Sequence, residues 1–293
     1  IGQALGFPML DYNIAYNKNH NQKIGCLSKS MVLSSQEKLT EGVAYLTGFN
    51  SKYNPDKHKS DYTYQFICDA LSEFQLHNYI RNILEIIVFD SIIGNSDRHQ
   101  ENWGIITNYQ AKYDDIVNEI DKKNLSVLKK VSLKLKRLII LGLFIKEDSN
   151  KKFSKSALKM KTEIIPHYFA PIYDSGCCLA RECTDEKVSR MIIDNKELES
   201  YLNKGMSEIH WKGISSKRKH FELIELLLKQ EPLIKLDIER VRRVYNPDEI
   251  LKIINTIDVN LPNELSNFKL SEDRKKLMYK LVTLRIEKLI TFL

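Results

Sequence analysis

The chain has 293 residues, with 45 Lys and Arg against 38 Asp and Glu and an apolar share of 43%, which suits one large or two modest domains with packed cores and excludes wholesale disorder. Its longest apolar runs, such as 138–141, fall far short of the ~20 residues a membrane helix needs. No charged-then-apolar leader opens the chain, and Ile1 in place of Met suggests a start that is processed or missing.

Residues 10–33 read as two extended pieces. An alternating run over 11–16 and a return over 23–32 with Ile24, Cys26 and Leu27 flank polar turn material at 17–22, a pattern that predicts a hairpin at the edge of a small sheet. A weak helical pattern covers 35–48, and 50–61 is a polar loop. From 64 to 93 the pattern is strongly helical. Ile80, Ile83, Leu84, Ile87 and Val88 share one face, and Ile86, Phe89, Ile92 and Ile93 add apolar residues around the cylinder, so this helix is expected to be buried on most sides.

Gly94, Asn95, Ser96 and Asp97 stop that helix in a tight polar loop. Short β-like runs follow at 103–107 and 168–173. Between them, residues 111–163 hold 14 Lys and Arg against 7 Asp and Glu, a surplus equal to that of the whole chain. Leu128, Val131, Leu135 and Leu138 form an apolar stripe there, flanked by Lys129, Lys130, Lys134, Lys136 and Arg137, as on an amphipathic helix. That basic stripe is open to three readings: a solvated face, a docking surface for a protein or tRNA-bound substrate, or a DNA-binding face. The lack of interleaved aromatics disfavours single-stranded nucleic acid.

Beyond 174 helices are expected near 184–203, 217–230 and 247–256. A last one starts after Ser271, an N-cap followed by the acidic Glu272 and Asp273, with Leu277, Leu281 and Leu284 on its buried face. The five cysteines include crowded Cys177, Cys178 and Cys183 but no C-x-x-C pair, which argues against a disulfide framework or zinc site and for reduced thiols in a cytosol. His20, His58, His77, His167, His210 and His220 show no ligand spacing, so a transition-metal enzyme is not expected.

The residues that carry chemistry lie at 94–104, G-N-S-D-R-H-Q-E-N-W-G, and at 170–176, A-P-I-Y-D-S-G. Phosphoryl transfer needs a carboxylate to orient the attacking hydroxyl and metal ions to neutralise phosphate charge. Asp97 and Asn102, five apart on a loop leaving a buried helix, provide a base and an amide oxygen. Asp174, ending an apolar run with Gly176 beyond it, provides a second carboxylate. Magnesium takes hard oxygen ligands of this kind. Asp97 alone reads as a helix-to-loop cap; the three together point to phosphoryl transfer. Asp90, one turn before the loop, is expected to anchor local backbone or Arg98. Cys177 and Cys178 read as small packing residues.

These two motifs resemble the active site of HipA-type serine/threonine kinases, and within them the small CtkA-like branch. The resemblance implies an α+β, protein-kinase-like two-lobe fold: a truncated α/β N-terminal portion with the hinge at 1–63, and a mostly helical catalytic C-lobe at 64–293. Carried over by position, Asp97 would be the catalytic base, with Arg98 and His99 bracing its loop. Asn102 and Asp174 would hold Mg²⁺, and the backbone of Leu27, Ser28, Lys29, Ser30 and Met31 would meet the adenine of ATP. The stretch 273–289 would be the closing helix. Asn102 and Asp174 are 72 positions apart, so the basic 108–163 segment must be an insertion at a hairpin tip that leaves the two strands able to pair. No G-x-G-x-x-G is present, and neither Lys18 nor Lys23 suits the phosphate-binding strand, which leaves those parts to upstream residues or a separate subunit.

The implied activity is ATP- and Mg²⁺-dependent phosphorylation of a protein Ser or Thr, with translation factors such as aminoacyl-tRNA synthetases as implied targets. The implied setting is a cytoplasmic toxin with an antitoxin partner, export as an effector being left open. Two alternatives stand beside it. One is a phosphoinositide-type lipid kinase, which shares a D-R-x-x-x-N loop and a later Asp-x-Gly. The other is a pseudokinase or regulatory module without the phosphate-gripping lobe.

Overall fold

The computed structural model describes every residue except 18, 20–22, 123–124 and 150–152. Lys18 and the centre of the expected turn at 17–22 therefore lie outside the described residues. In chain order the elements are β1 (Tyr12–Asn17), β2 (Lys23–Ser28), β3 (Glu37–Glu41), α1 (Gly42–Phe49), α2 (Tyr64–Glu73), α3 (Ile80–Ile93), β4 (Gly104–Asn108), α4 (Tyr109–Ile120), α5 (Val127–Asp148), α6 (Lys155–Ile164) and β5 (His167–Phe169). Then follow α7 (Asp185–Ile193), α8 (Asn195–Lys204), α9 (His220–Gln230), α10 (Ile234–Val244), α11 (Pro247–Thr256) and α12 (Glu272–Ile290). No helix among the described residues is long and apolar enough to cross a membrane.

The chain forms two compact units, each built from separated segments. One comprises residues 1–29, 81–99 and 171–293, the other 30–80 and 100–170. This partition differs from a sequential division at 63/64.

In the first unit, β1 and β2 pair antiparallel from Tyr12 opposite Ser28 to Asn17 opposite Lys23. They form a two-stranded sheet of their own, where a hairpin at the edge of a small sheet was expected. α3 is buried over Ile83 to Ile93, as its all-round apolar pattern predicts. Phe7 packs on Phe89 with ring centroids 5.1 Å apart. Arg240 reaches Glu85 at 2.7 Å and Arg81 reaches the fully buried Asp237 at 3.0 Å. Burial pushes the Asp237 carboxyl up to about 6 against the pull of Arg81 and Arg240. A second core joins Val188, Met191 and Leu198 to Leu277 and Leu281 of α12.

The Ser271 hydroxyl accepts from Arg274 N–H at 3.3 Å, the expected cap. Leu284, expected on the buried face, is instead partly exposed, and Val282, Ile286 and Leu289 fill the core. Two helices replace the single one expected over 184–203, because Asp194 leaves helical geometry and caps α8 through Lys196 and Glu197 N–H. α10, not foreseen, hides Ile234, Ile238 and Val241 beneath a highly charged surface.

The second unit is built on an antiparallel sheet in the order β3-β4-β5. Leu39 faces Ile106, and Ile105 faces Phe169. β4 and β5 thus pair across the long intervening segment. The weak helix expected over 35–48 is in fact a strand followed by a helix. Pairing with the buried β4 overrides local propensity at 37–41, and Gly42 starts α1 against Trp103, where a Cβ would lie 2.2 Å from the indole. Trp103 is buried, donates from Nε1 to Tyr62 Oη at 2.9 Å, and stacks on Phe169.

Between β4 and β5, α4, α5 and α6 share a core of Tyr109, Ile116, Leu133, Ile140, Leu143 and Ile165. Lys161, fully buried, bonds Glu147 and Thr40, and Glu147 also accepts from Tyr109 Oη at 2.6 Å. Burial lowers the Lys161 pKa while Glu147 opposes the shift. The stripe of Leu128, Val131, Leu135 and Leu138 does not enter this core: all four side chains are exposed.

Candidate active site

Gly94 ends α3 at a φ of +68°, which glycine adopts without a Cβ penalty. Gly94 and Asn95 N–H both donate to Asp90 O, at 2.8 and 3.0 Å. A Cβ at 94 would meet the Arg285 guanidinium at 2.3 Å. Arg285, buried on α12, donates to Ile93 O at 3.0 Å and lies over Tyr201. The loop therefore leaves α3 against a fixed cation.

Inside the loop, Asn95 Nδ2 donates to Asp90 Oδ1 at 3.0 Å, and Asn95 Oδ1 accepts from Asp97 N–H at 3.3 Å. Arg98 is buried and forks onto Asp90, Nε to Oδ2 at 3.0 Å and Nη2 to Oδ1 at 2.9 Å. Its Nη1 donates to Tyr173 O at 2.6 Å, and Nη2 to Ser175 Oγ at 3.0 Å. Arg98 thus grips both neighbours of Asp174, and Asp90 anchors Arg98 as expected. A bidentate guanidinium–carboxylate pair of this kind fixes orientation as well as charge.

Asp174 has a φ of +48°, a strained conformation for a non-glycine residue, and its N–H donates to Tyr12 Oη at 3.0 Å. Ser96 N–H reaches Cys177 O at 3.4 Å, and the Cys177 thiol donates to Asp97 Oδ2 at 3.4 Å. Desolvation, then Asp97, raises the Cys177 pKa; burial pushes Cys178 up to about 12. Both remain thiols at neutral pH, fit to donate and poor as nucleophiles.

Asp97, Arg98 and Asp174 are thus gathered within the first unit, with His99 as the last residue of its middle segment. Asn102 belongs to the second unit, buried directly before Trp103. Its neighbours are held by the start of α1: Gly42 N–H donates to Trp103 O and Val43 N–H to Gln100 O, each at 2.9 Å. Leu27 and Ser28 end the exposed β2, and Lys29 pairs with Asp11 through its backbone N–H, at 3.2 Å, and its side chain. Ser30 and Met31 open the second unit, where Ser30 Oγ donates to Val32 O at 2.6 Å.

Tyr12, Ser175 and Arg285 were not foreseen. Tyr12 lies 162 positions from its partner Asp174, and no sequence spacing reports such a contact. A cleft of about 720 Å³ opens beside Tyr12 in the first unit, between Ile14, Tyr16 and Cys26 on one wall and Leu261 and Phe268 on the other. That volume lies within the usual range of small-molecule sites.

Among the described residues no group of three or more His, Cys, Asp or Glu side chains could hold a metal ion. Asp174 in the first unit offers carboxylate oxygens and Asn102 in the second an amide oxygen, each a hard donor of the kind magnesium takes.

No family model matches the sequence, and no curated protein matches it. The fold is nevertheless similar to that of a solved structure, a Helicobacter pylori proinflammatory kinase, CtkA, with a TM-score of 0.65 over 100% of this chain and 79% of that one. At 17% identity the likeness is one of fold.

Proposed function

We propose that this chain is a phosphotransferase, an ATP- and Mg²⁺-dependent protein serine/threonine kinase of the HipA/CtkA type. The observation that carries the reading is the Arg98 clamp. One buried side chain ties the end of α3, the Asp97 loop and both neighbours of Asp174 together, leaving little freedom in the two carboxylates that phosphoryl transfer requires. The kinase-like fold supports it independently.

In this reading Asp97 accepts the proton of the substrate hydroxyl as it attacks the terminal phosphate, and the Cys177 thiol steadies Asp97 Oδ2. Asn102 and Asp174 would hold Mg²⁺, which supplies charge neutralisation to the phosphates when bound. Strand pairing supports that assignment: Ala170 N–H donates to Gly104 O at 2.9 Å, with Asn102 two residues before Gly104 and Asp174 four residues after Ala170. The backbone of Leu27, Ser28, Lys29, Ser30 and Met31 would meet adenine, and His99 would brace the loop with Arg98. The division into lobes at 1–63 and 64–293, a translation-factor substrate, an antitoxin or N-lobe partner and a cytoplasmic setting complete the proposal.

Transfer of radiolabel from ATP to a generic protein acceptor and to the chain itself tests it. Asp97→Ala is expected to lower transfer by about 10²-fold or more with an unchanged circular-dichroism spectrum. Transfer at the wild-type rate would remove Asp97 from the role of base.

A further inference from the structure

The outward side of α5 carries an apolar ridge with nothing packed on it. Leu128, Val131, Leu135, Leu138 and Ile145 are between 56% and 83% exposed. They recur at alternating steps of three and four, and Gly142 occupies the one remaining position, where an added Cβ would meet open space. Leu133, Ile140 and Leu143 bury the opposite side of the same helix. The ridge is roughly 26 Å long at 1.5 Å per residue. Its spacing is that of a helix–helix seam, and exposed apolar area on this scale marks an interaction surface.

The charge of the helix says what fits there. Along the helix, residues 127–146 contain six cations and no anion. Lys129 pairs with Glu119 at 3.0 Å and Arg137 lies over Tyr113. Lys130, Lys134 and Lys136 form no salt bridge among the described residues. A second copy would bring six cations against six, and the ridge lacks the aromatic residues usual on interfacial helices.

We infer that the outward face of α5 is a docking surface for an amphipathic helix of another protein, acidic along its flanks and apolar along the side that meets the ridge. Charge sets the register and the encounter rate, and the ridge provides the buried contact.

A display library of three-heptad helices, apolar at the first and fourth positions and drawn from Asp, Glu, Lys, Arg, Gln and Ser elsewhere, tests this by selection on the intact chain. Enriched helices are expected to carry Asp and Glu on their flanks. Leu135→Ser with Leu138→Ser, both exposed and so compatible with folding, should weaken them by about tenfold or more. Lys130→Glu with Lys134→Glu should turn the preference toward Lys and Arg. Enrichment without an acidic bias, or binding indifferent to both double variants, would overturn the inference. So would α5-dependent self-association in analytical ultracentrifugation, or α5-dependent sedimentation with POPC/POPG vesicles where no helix is enriched.

Discussion

Arg98 uses Nε, Nη1 and Nη2 in one buried arrangement, and truncating it would leave the Asp90 carboxylate buried with, among the described residues, the Asn95 amide to meet it. Arg98→Met is expected to cost roughly 3–5 kcal/mol of stability, measured by urea unfolding, because an uncompensated buried charge remains. Arg98→Lys keeps the charge but loses the fork, and should depress phosphotransfer more than stability. His220 provides a second test at this scale. Neither ring nitrogen has a hydrogen-bond partner among the described residues, and burial, then Arg285, lowers its pKa to about 3. Above pH 6.5 the ring is neutral folded and unfolded. As pH falls from 6.5 toward 3, only the unfolded chain takes up the proton, so stability is lost across that window. His220→Leu should remove about 2–3 kcal/mol of that loss at pH 4.5, read as a smaller difference between unfolding curves at pH 7.5 and 4.5. The loop at 94–104 and the turn at 170–176, which Arg98 joins, were legible because their residue types match a stated chemistry. Tyr12 and Arg285 were not, since each meets the loop from a distant segment through one side chain.

Between β4 and β5 the helices are tied to the sheet by the Lys161, Glu147, Thr40 and Tyr109 group. Lys161→Ala should destabilise by roughly 3–5 kcal/mol in denaturant unfolding, whereas Lys161→Met combined with Glu147→Leu should come close to neutral. A double variant as unstable as the single one would show that packing, not the ion pair, dominates. Lys161 and Glu147 sit on different helices, so no periodicity links them. The same helices show where pattern reading falls short. The apolar stripe of α5 is real, but α5 has two apolar sides, and the one that packs is that of Leu133, Ile140 and Leu143. β3 was obscured for a related reason: Glu37 to Glu41 has little strand propensity of its own and becomes a strand only because β4 offers an apolar, open edge.

Across the whole molecule, the fold is similar to that of the Helicobacter pylori kinase at only 17% identity, so the fold carries the likeness where most of the sequence does not. The helices of the first unit tolerate any apolar residue of suitable volume, so α10 and the break between α7 and α8 stayed hidden. The central claim is that Asp97, Asn102 and Asp174 serve one phosphotransfer site. Calorimetric titration of ATP with and without Mg²⁺ on the wild type, Asp97→Ala and Asp174→Asn tests it most directly, with radiolabel transfer measured on the same preparations. The account predicts that Mg²⁺ tightens ATP binding to the wild type and to Asp97→Ala, that Asp174→Asn loses this dependence, and that only the wild type transfers phosphate. ATP affinity indifferent to Mg²⁺ in the wild type, or unchanged Mg²⁺ dependence in Asp174→Asn, would contradict it.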